Sequence, residues 1–402
     1  MVWVHHMKNG TFSETFIPEG APSNASFSTI TIGGGAQWID AYNLANQHGQ
    51  LVVGGISEGG TVGAAGGWLA GGGHGVLSPR HGVDNVLEFK VVIADGSLVT
   101  ANAHENSDLF WALRGGGGAT YAIVISVTYK TYPSFGLGLA MFQANFTSPD
   151  VAQKLVAATV RSIRNFADAG WGGYLYILQS AVAGIWVAPN TSQSDTEAAF
   201  TPYASYLYNV TGGQGGALYN STSSFYEWFY GSFILTSGQA GSSQVGGNVY
   251  IASRLLSREI NPDDAAKAIL SVPTTVGLNV VGGGAVNRID PSSTGLNPSW
   301  RHALAEAYVT ESWDDGSNVT VIQQAADNLK KSTDILEGVA TDSGSYLNEG
   351  SLFERNFKNA FYGAHYSSLR AIKQKYDPNS LFVVPTGVAS DEWDRDLTCR
   401  VG

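Results

Sequence analysis

Glycine placement is the feature that most restricts how this chain can fold. Glycine accounts for 50 of the 402 residues, well above the usual proportion of about 7%. The glycines gather at residues 33–35, 54–75, 115–118 and 282–284, with hydrophobic segments between the groups. No fixed period relates the groups, which argues against a solenoid or a propeller. A backbone with so few side chains can approach a flat or anionic ligand closely, so residues 54–75 are predicted to bind one. A set of tight turns in a glycine-rich β domain is the alternative.

Charge and cysteine content exclude several classes of protein. Lys and Arg total 22 and Asp and Glu total 33, so the formal net charge is −11. A nucleic-acid-binding protein needs a cationic face, and none is expected here. No apolar run reaches the length needed to cross a membrane, about 18 residues or more. Cys399 is the single cysteine, and the histidines lack metal-ligand spacing, so neither a disulfide framework nor a metal site is predicted.

Hydrophobic periodicity predicts an α+β protein. The first part alternates short strands with helices, and includes a hairpin of residues 86–93 and 97–100 joined by Asp95 and Gly96. The middle part combines strand patterns with amphipathic helices, which indicates an antiparallel sheet backed by helices. Helices are predicted at residues 37–48, 107–114, 149–167, 262–270, 319–339 and 364–376.

Seven Asn-x-Ser/Thr sequons favour a secreted glycoprotein. The first residues lack a basic region followed by an apolar core, so no secretory signal is expected there. The sequons also arise by chance in chains rich in Asn, Ser and Thr. They lie at Asn9, Asn24, Asn145, Asn190, Asn209, Asn220 and Asn318.

Several ordered motifs resemble one family along essentially the whole chain. They read GAAGG at residues 63–67, GGHG at 72–75, NSDLFWALRGGGG at 106–118, YLNE at 346–349 and YDPNSLF at 376–382. Together they are similar to the berberine-bridge-enzyme-like FAD-linked oxidases of the vanillyl-alcohol-oxidase group. The resemblance implies an FAD-dependent oxidoreductase that takes a hydride from a small organic substrate such as a sugar, an alcohol or a secondary metabolite. It also implies dioxygen as the electron acceptor and a monomeric protein.

The same resemblance implies a division of the chain. Residues 1–133 would form a PCMH-type FAD-binding domain, and residues 134–340 would form the substrate-binding domain. Residues 341–402 would return to the FAD-binding domain as the C-terminal element. Because the family's first flavin-binding subdomain precedes a strand like that at residues 2–8, the FAD-binding domain is expected to be incomplete at its N-terminus.

The matched motifs also imply site residues. Tyr346 stands where some carbohydrate-oxidising relatives have a general base; a tyrosine that only packs against the flavin is the alternative, since a phenol of pKa about 10 is a poor base at neutral pH. Asn348 is expected to contact the flavin. The other cofactor-binding residues implied are Gly55, Ser57, Thr61, Val62, Gly63, Gly66, Gly67, Gly73, His74 and Ile123.

Two departures from the family pattern concern the covalent linkage of flavin. Some members tether flavin through a cysteine, at the position where this chain has Ser57, so a cysteinyl link is excluded. The position of the histidyl link is expected to be absent from this chain. Weak FAD binding is therefore expected. The alternative functions are a cofactor-free pseudoenzyme and a glycoprotein that binds a small molecule or carbohydrate.

Overall fold

The computed structural model describes residues 2–77, 82–235, 247–341 and 343–401. Its strands, in chain order, are β1 Gly10–Phe16, β2 Phe27–Gly33, β3 Gln50–Leu51, β4 Val86–Val92, β5 Leu98–Asn102, β6 Ile123–Lys130, β7 Tyr132–Pro133, β8 Leu137–Asn145, β9 Gly172–Ile177, β10 Ala181–Pro189, β11 Gly215–Thr222, β12 Asn248–Ser257, β13 Val276–Val280 and β14 Ala303–Trp313. Its α-helices are α1 Trp38–Gln47, α2 Gly67–Ala70, α3 Ser107–Leu113, α4 Pro149–Asp168, α5 Gln193–Val210, α6 Phe225–Phe229, α7 Pro262–Ser271, α8 Val319–Glu337 and α9 Tyr366–Tyr376. No helix of the described ranges combines the length and the apolar character needed to cross a membrane.

An antiparallel sheet organises the first part of the described chain, with strand order β1-β2-β6-β4-β5. Strand β2 alternates polar and apolar residues, and its apolar Ile30 and Ile32 are buried. The predicted hairpin forms between β4 and β5, with Val92 opposite Leu98. Gly96 takes a φ of 88° in its turn, which a residue with a side chain rarely adopts.

The middle part contains a second antiparallel sheet, with order β11-β8-β10-β9-β13-β14-β12. Helices α4, α5 and α8 pack on one of its faces. Helix α4 begins as its sequence predicts, because the Ser148 side chain caps it and Pro149 occupies its first turn. The α+β fold with an antiparallel sheet backed by helices is therefore confirmed.

The other face of this second sheet packs toward the first part of the chain. A row of side chains runs across it, because Tyr174 pairs with Asn279 and Asn279 pairs with Glu306. The Leu139 and Val187 side chains also project from this face and pack in the hydrophobic core of the first part. The second sheet thus presents both polar and apolar groups to the glycine-rich segments.

The last part of the chain returns to the first. Helix α9 lies beside α3, where Lys375 pairs with Asp108 at 2.6 Å and the Tyr376 hydroxyl donates to Asp108 at 2.7 Å. Tyr346, Tyr362 and other side chains of the last part lie in the same core as the first sheet. The boundaries at residues 133/134 and 340/341 stay predictions.

Candidate functional site

A cleft of about 740 Å³ runs between the glycine-rich segment, strand β6 and the stretch at residues 381–384. Its floor includes Gly66, Gly67 and Gly118, and its walls include Ile123 and Leu381. Most of the remaining lining side chains are small or apolar. Such a cleft suits a flat, largely apolar group that approaches the backbone closely.

The glycines of the floor keep the cleft open. A Cβ atom added to Gly63, Gly66 or Gly67 would meet no other group within 4 Å. A side chain at Gly66 or Gly67 would therefore occupy cleft volume and displace no protein atom. The residues present fit the flavin that the sequence motifs imply, and Gly66, Gly67 and Ile123 of the predicted set lie at this cleft.

Two other glycines predicted to bind the cofactor, Gly55 and Gly73, instead make room for the Trp68 ring. A Cβ on Gly55 would lie 2.6 Å from Trp68 Nε1, and one on Gly73 would lie 2.5 Å from the Trp68 ring. The Trp68 indole N–H donates to the His74 carbonyl at 3.1 Å. Gly55 and Gly73 thus let the segment fold tightly around one tryptophan. They support the cleft from behind.

Ser57, Thr61 and Val62 lie in a turn against the start of α1. Ser57 Oγ accepts from the Val62 N–H at 3.3 Å, and the Val62 carbonyl accepts from the Trp38 N–H at 3.0 Å. The Thr61 carbonyl accepts from Gln37 Nε2 at 3.0 Å. These contacts fix the turn next to α1.

Tyr346 and Asn348 connect the cleft to the second sheet. Asn348 Nδ2 donates to the Gly67 carbonyl and to the Tyr346 hydroxyl, each at 2.8 Å. The Tyr346 hydroxyl lies 3.4 Å from the Trp68 carbonyl, and its backbone N–H donates to Ser253 Oγ at 3.1 Å. Asn348 thus bonds to Gly67, which lines the cleft, and holds Tyr346 beside it, although neither motif residue is among the lining residues.

Beside Tyr346, the side chains of His74, Glu306 and Glu349 form a polar cluster, which we call the His–Glu cluster. His74 Nε2 lies 3.3 Å from Glu306 Oε2 and 3.4 Å from Glu349 Oε1. The His74 ring packs edge-on against Tyr346, with ring centroids 5.0 Å apart. The imidazole is hydrogen-bonded to Glu349 and faces Glu306 at ion-pair distance. One ligand atom from each of the three side chains lies within 4.8 Å of the others, so the set could also hold a metal ion. Asn279 Nδ2 donates to Glu306 at 3.2 Å from the next strand.

Burial controls the electrostatics of the His–Glu cluster. Burial, followed by the charge of Glu349, raises the pKa of Glu306 to about 8, although His74 opposes this shift. Burial alone would lower the pKa of His74, but the hydrogen bond to Glu349 and the two carboxylate charges raise it overall. Burial and the charge of Glu349 raise the pKa of Tyr346 well above 10. The buried phenol therefore keeps its proton at neutral pH.

Sequence reasoning found His74 but missed its two partners. Glu306 is the single charged residue in the apolar run at residues 303–309, and it is fully buried. A charge inside an otherwise apolar strand is costly unless a partner compensates it, so this pattern could have marked the position. Glu349 directly follows Asn348 within the YLNE motif.

Two family models match the chain. One, described as FAD binding domain, covers residues 24–102, and the other, described as Berberine and berberine like, covers residues 345–389. The matches include the glycine-rich segment, Tyr346 and Asn348.

Curated and solved relatives extend the likeness to nearly the whole chain. An uncharacterized FAD-linked oxidoreductase of Arthroderma benhamiae is 34% identical, over 99% of this chain and 71% of its own. The VAO-type flavoprotein oxidase VAO615 of Thermothelomyces thermophilus is 31% identical, over 100% of this chain and 70% of its own. The crystal structure of the VAO-type flavoprotein MtVAO615 from Myceliophthora thermophila C1 has a TM-score of 0.85 and 26% identity, covering 99% of this chain and 74% of that one. The chain belongs to the berberine-bridge-enzyme-like FAD-linked oxidoreductases of the vanillyl-alcohol-oxidase type.

Proposed function

We propose that this protein uses FAD to oxidise a small organic substrate at a carbon that bears a hydroxyl group, and that dioxygen reoxidises the flavin. FAD-dependent oxidoreduction follows from family membership. The name of a relative matched along the whole chain, a flavoprotein oxidase, supports dioxygen as the acceptor. The observation that carries the proposal is the hydrogen bond from Asn348, the residue before Glu349 of the His–Glu cluster, to Gly67 in the apolar, glycine-lined cleft.

In this proposal, Gly66, Gly67 and Ile123 would hold the flavin, and Asn348 fixes Gly67 by its hydrogen bond to the Gly67 carbonyl. FAD supplies the hydride acceptor. Ser57 has no thiol, so no cysteinyl bond holds the cofactor there. The shape of the cleft and the apolar contacts along it would provide affinity.

Tyr346 is the residue of the chain whose surroundings indicate its role beside the cofactor. Tyr346 is almost fully buried between the rings of His74 and Trp300, with centroids 5.0 and 5.4 Å away. We propose that Tyr346 acts chiefly as a wall that excludes water and orients the substrate. The high pKa of its phenol and its hydrogen bond from Asn348 support this role over that of a general base.

The test begins with cofactor binding by the full purified chain. After incubation with FAD and gel filtration, we expect flavin absorbance near 450 nm that acid precipitation releases into the supernatant. Flavin that stays with the precipitated protein through a covalent bond at Ser57 would contradict this description of the site. Absence of flavin binding at about 100 µM FAD would favour the cofactor-free alternatives.

The second step is turnover. The FAD-loaded chain is screened for oxygen consumption with cellobiose, glucose, vanillyl alcohol and benzyl alcohol, and hydrogen peroxide is measured in parallel. Oxygen uptake with equimolar peroxide is the expected result. Substrate oxidation that proceeds with a dye acceptor but not with oxygen would support the oxidoreductase activity and contradict dioxygen as the electron acceptor.

We also propose that the protein is a secreted glycoprotein. All seven sequon asparagines are exposed, as glycosylation requires. Expression in a secreting eukaryotic host followed by glycosidase treatment should lower the apparent mass. An unchanged mass would contradict this proposal.

A further inference from the structure

The His–Glu cluster places two carboxyl groups against one ring nitrogen. His74 Nε2 is placed between Glu306 Oε2 and Glu349 Oε1 at 3.3 and 3.4 Å. Only the contact with Glu349 has hydrogen-bond geometry, and Glu306 faces the same ring nitrogen at ion-pair distance. His74 Nδ1 has no hydrogen-bond partner among the described residues, so the ring acts on the cluster through Nε2 alone. The three groups form one unit whose protons are held in common.

The unit has an inner and an outer end. The Glu306 side chain is completely buried on β14, whereas 26% of the Glu349 side chain is exposed. Glu349 directly follows Asn348, which bonds to the Gly67 carbonyl on the cleft floor. The outer carboxylate therefore belongs to the residue next to the contact between the YLNE motif and the cleft floor.

The groups facing the unit come from several elements. They are Tyr174 and Tyr176 on β9, Tyr308 on β14, Tyr346 in the YLNE motif, and the uncharged Asn279 on β13. Burial is the main cause that raises the pKa of Tyr174, Tyr308 and Tyr346, and the charge of Glu349 adds to it in each. These three phenols stay neutral at physiological pH.

We propose that Glu349 accepts the proton that the substrate hydroxyl loses during oxidation, with His74 and Glu306 as positioning residues that hold Glu349 in place. This inference rests on the proposed function. When the alcohol becomes a carbonyl compound, the carbon must give up a hydride, that is two electrons and one proton, for which FAD would be the acceptor. The oxygen loses the second proton, which the Glu349 carboxylate takes up to become a carboxylic acid. Partial exposure of Glu349 lets that proton pass to solvent before the next turnover.

The first test uses the full chain without added flavin. Protein labelled with ¹⁵N-histidine is titrated from pH 5 to 9 by NMR, and a His74→Gln variant assigns the His74 signals. We expect His74 to titrate above pH 6.5 in a broad, non-ideal curve. In Glu349→Gln the His74 pKa should fall by at least one unit, since one unit corresponds to loss of about 1.4 kcal/mol of interaction. Glu337→Gln, a change at an exposed glutamate outside the cluster, is the matched control and should leave the curve unchanged.

Two results would overturn the proposal. One is a His74 titration that Glu349→Gln does not alter, because the two groups would then share no proton. The other is stoichiometric binding of added Zn²⁺ with loss of the His74 titration, since the cluster would then be a cation site. Neither result affects flavin binding measured at 450 nm, so failure here is separable from failure of the proposed function.

A kinetic readout then separates Glu349 from Tyr346. The rate of flavin reduction under anaerobic conditions is followed against pH, with whichever alcohol or sugar gives the fastest oxygen uptake. Glu349→Gln should slow reduction about 100-fold at pH 7 and remove the acidic limb of the profile. Tyr346→Phe should slow it less than tenfold and keep the limb. The reverse pattern would assign the proton transfer to Tyr346.

Discussion

At the scale of single residues, the glycines of the family motifs perform two different tasks. Gly67 leaves empty space in the cleft, whereas Gly73 makes room for the Trp68 ring and adopts a φ of +68°. Both belong to one run of sequence and both were predicted to bind the cofactor. Their surroundings in the fold predict opposite consequences of the same substitution.

Gly67→Ala and Gly73→Ala should therefore differ in which property they damage. The new methyl group of Gly67→Ala enters the cleft, so we expect FAD affinity to fall about tenfold, or about 1.4 kcal/mol, with little change in unfolding free energy. Gly73→Ala forces a methyl group against Trp68 at a positive φ, so we expect it to cost roughly 2–4 kcal/mol of stability. Urea unfolding and FAD titration of both variants provide the measurement. Equal loss of stability in both would contradict this division of roles.

How far a sequence reveals single site residues depends on whether they lie close together in the chain. Tyr346 and Asn348 were found because they sit two positions apart in one motif. His74 and Glu349 are 275 positions apart, and no spacing rule connects them. Only the packing of the second sheet against the glycine-rich segment brings them within hydrogen-bonding distance.

At the scale of elements, helices with clear caps were predicted closely and atypical ones were missed. Helix α7 was predicted at residues 262–270 and observed at Pro262–Ser271, where the Asn261 side chain accepts from the N–H groups of Asp263 and Asp264. Helix α5 was not predicted, because Pro202 lies inside it and its apolar residues form no clear stripe. Packing against β8 and β11 stabilises that helix where local signals do not.

One buried ion pair ties an element of the middle part to the first part. Arg301, on a single helical turn at Pro298–Arg301, donates twice to Asp84, each time at 2.8 Å. The Arg301 and Asp84 side chains are only 2% and 11% exposed. Arg114 lies nearby, and burial lowers its pKa to about 10, although the charge of Asp84 opposes this shift. Asp84 thus compensates the charge of buried Arg301 and also acts on half-buried Arg114.

Asp84→Asn should be strongly destabilising. Loss of the carboxylate leaves the Arg301 guanidinium buried without a counter-charge, which typically costs about 3–5 kcal/mol. Asp168→Asn is the matched control: Asp168 binds Arg258 in the same bidentate manner, at 2.9 and 2.7 Å, but is 48% exposed. We expect the control to cost less than about 1 kcal/mol. Urea unfolding at pH 7 measures both variants. Similar losses of unfolding free energy would show that burial does not determine how much such an ion pair contributes to stability.

At the scale of the whole molecule, two hydrophobic cores meet along the polar row on the second sheet. One core joins the first and last parts of the chain, and the other lies between the second sheet and its helices. Glu306 points from the sheet into the region between them and is fully buried. Its protonation therefore affects the free energy with which the entire chain folds.

This coupling predicts how stability depends on pH. The folded protein raises the Glu306 pKa from its ordinary value of 4.5 to about 8. Between these two values the folded state holds a proton that the unfolded chain releases, so the contribution of this group is fully present below pH 4.5 and is lost as pH rises through about 8. The raised pKa of His74 acts in the same direction. In Glu306→Gln the decline in unfolding free energy from pH 5 to 8 should be smaller by an amount on the order of a few kcal/mol.

The measurement is urea unfolding of the wild type and of Glu306→Gln at pH 5, 6, 7 and 8. Glu311→Gln, on the same strand but outside the cluster, controls for the removal of one negative charge. The carboxylates with lowered pKa values, such as Asp108 and Asp391, lose their contribution only in more acidic solution, because their folded pKa values lie below the ordinary value of 3.8. The change in unfolding free energy between pH 5 and 8 therefore reports on Glu306 and His74. Parallel curves for the wild type and Glu306→Gln would mean that Glu306 is already ionised at pH 5, and the packing of the second sheet would then have to accommodate a permanent buried charge.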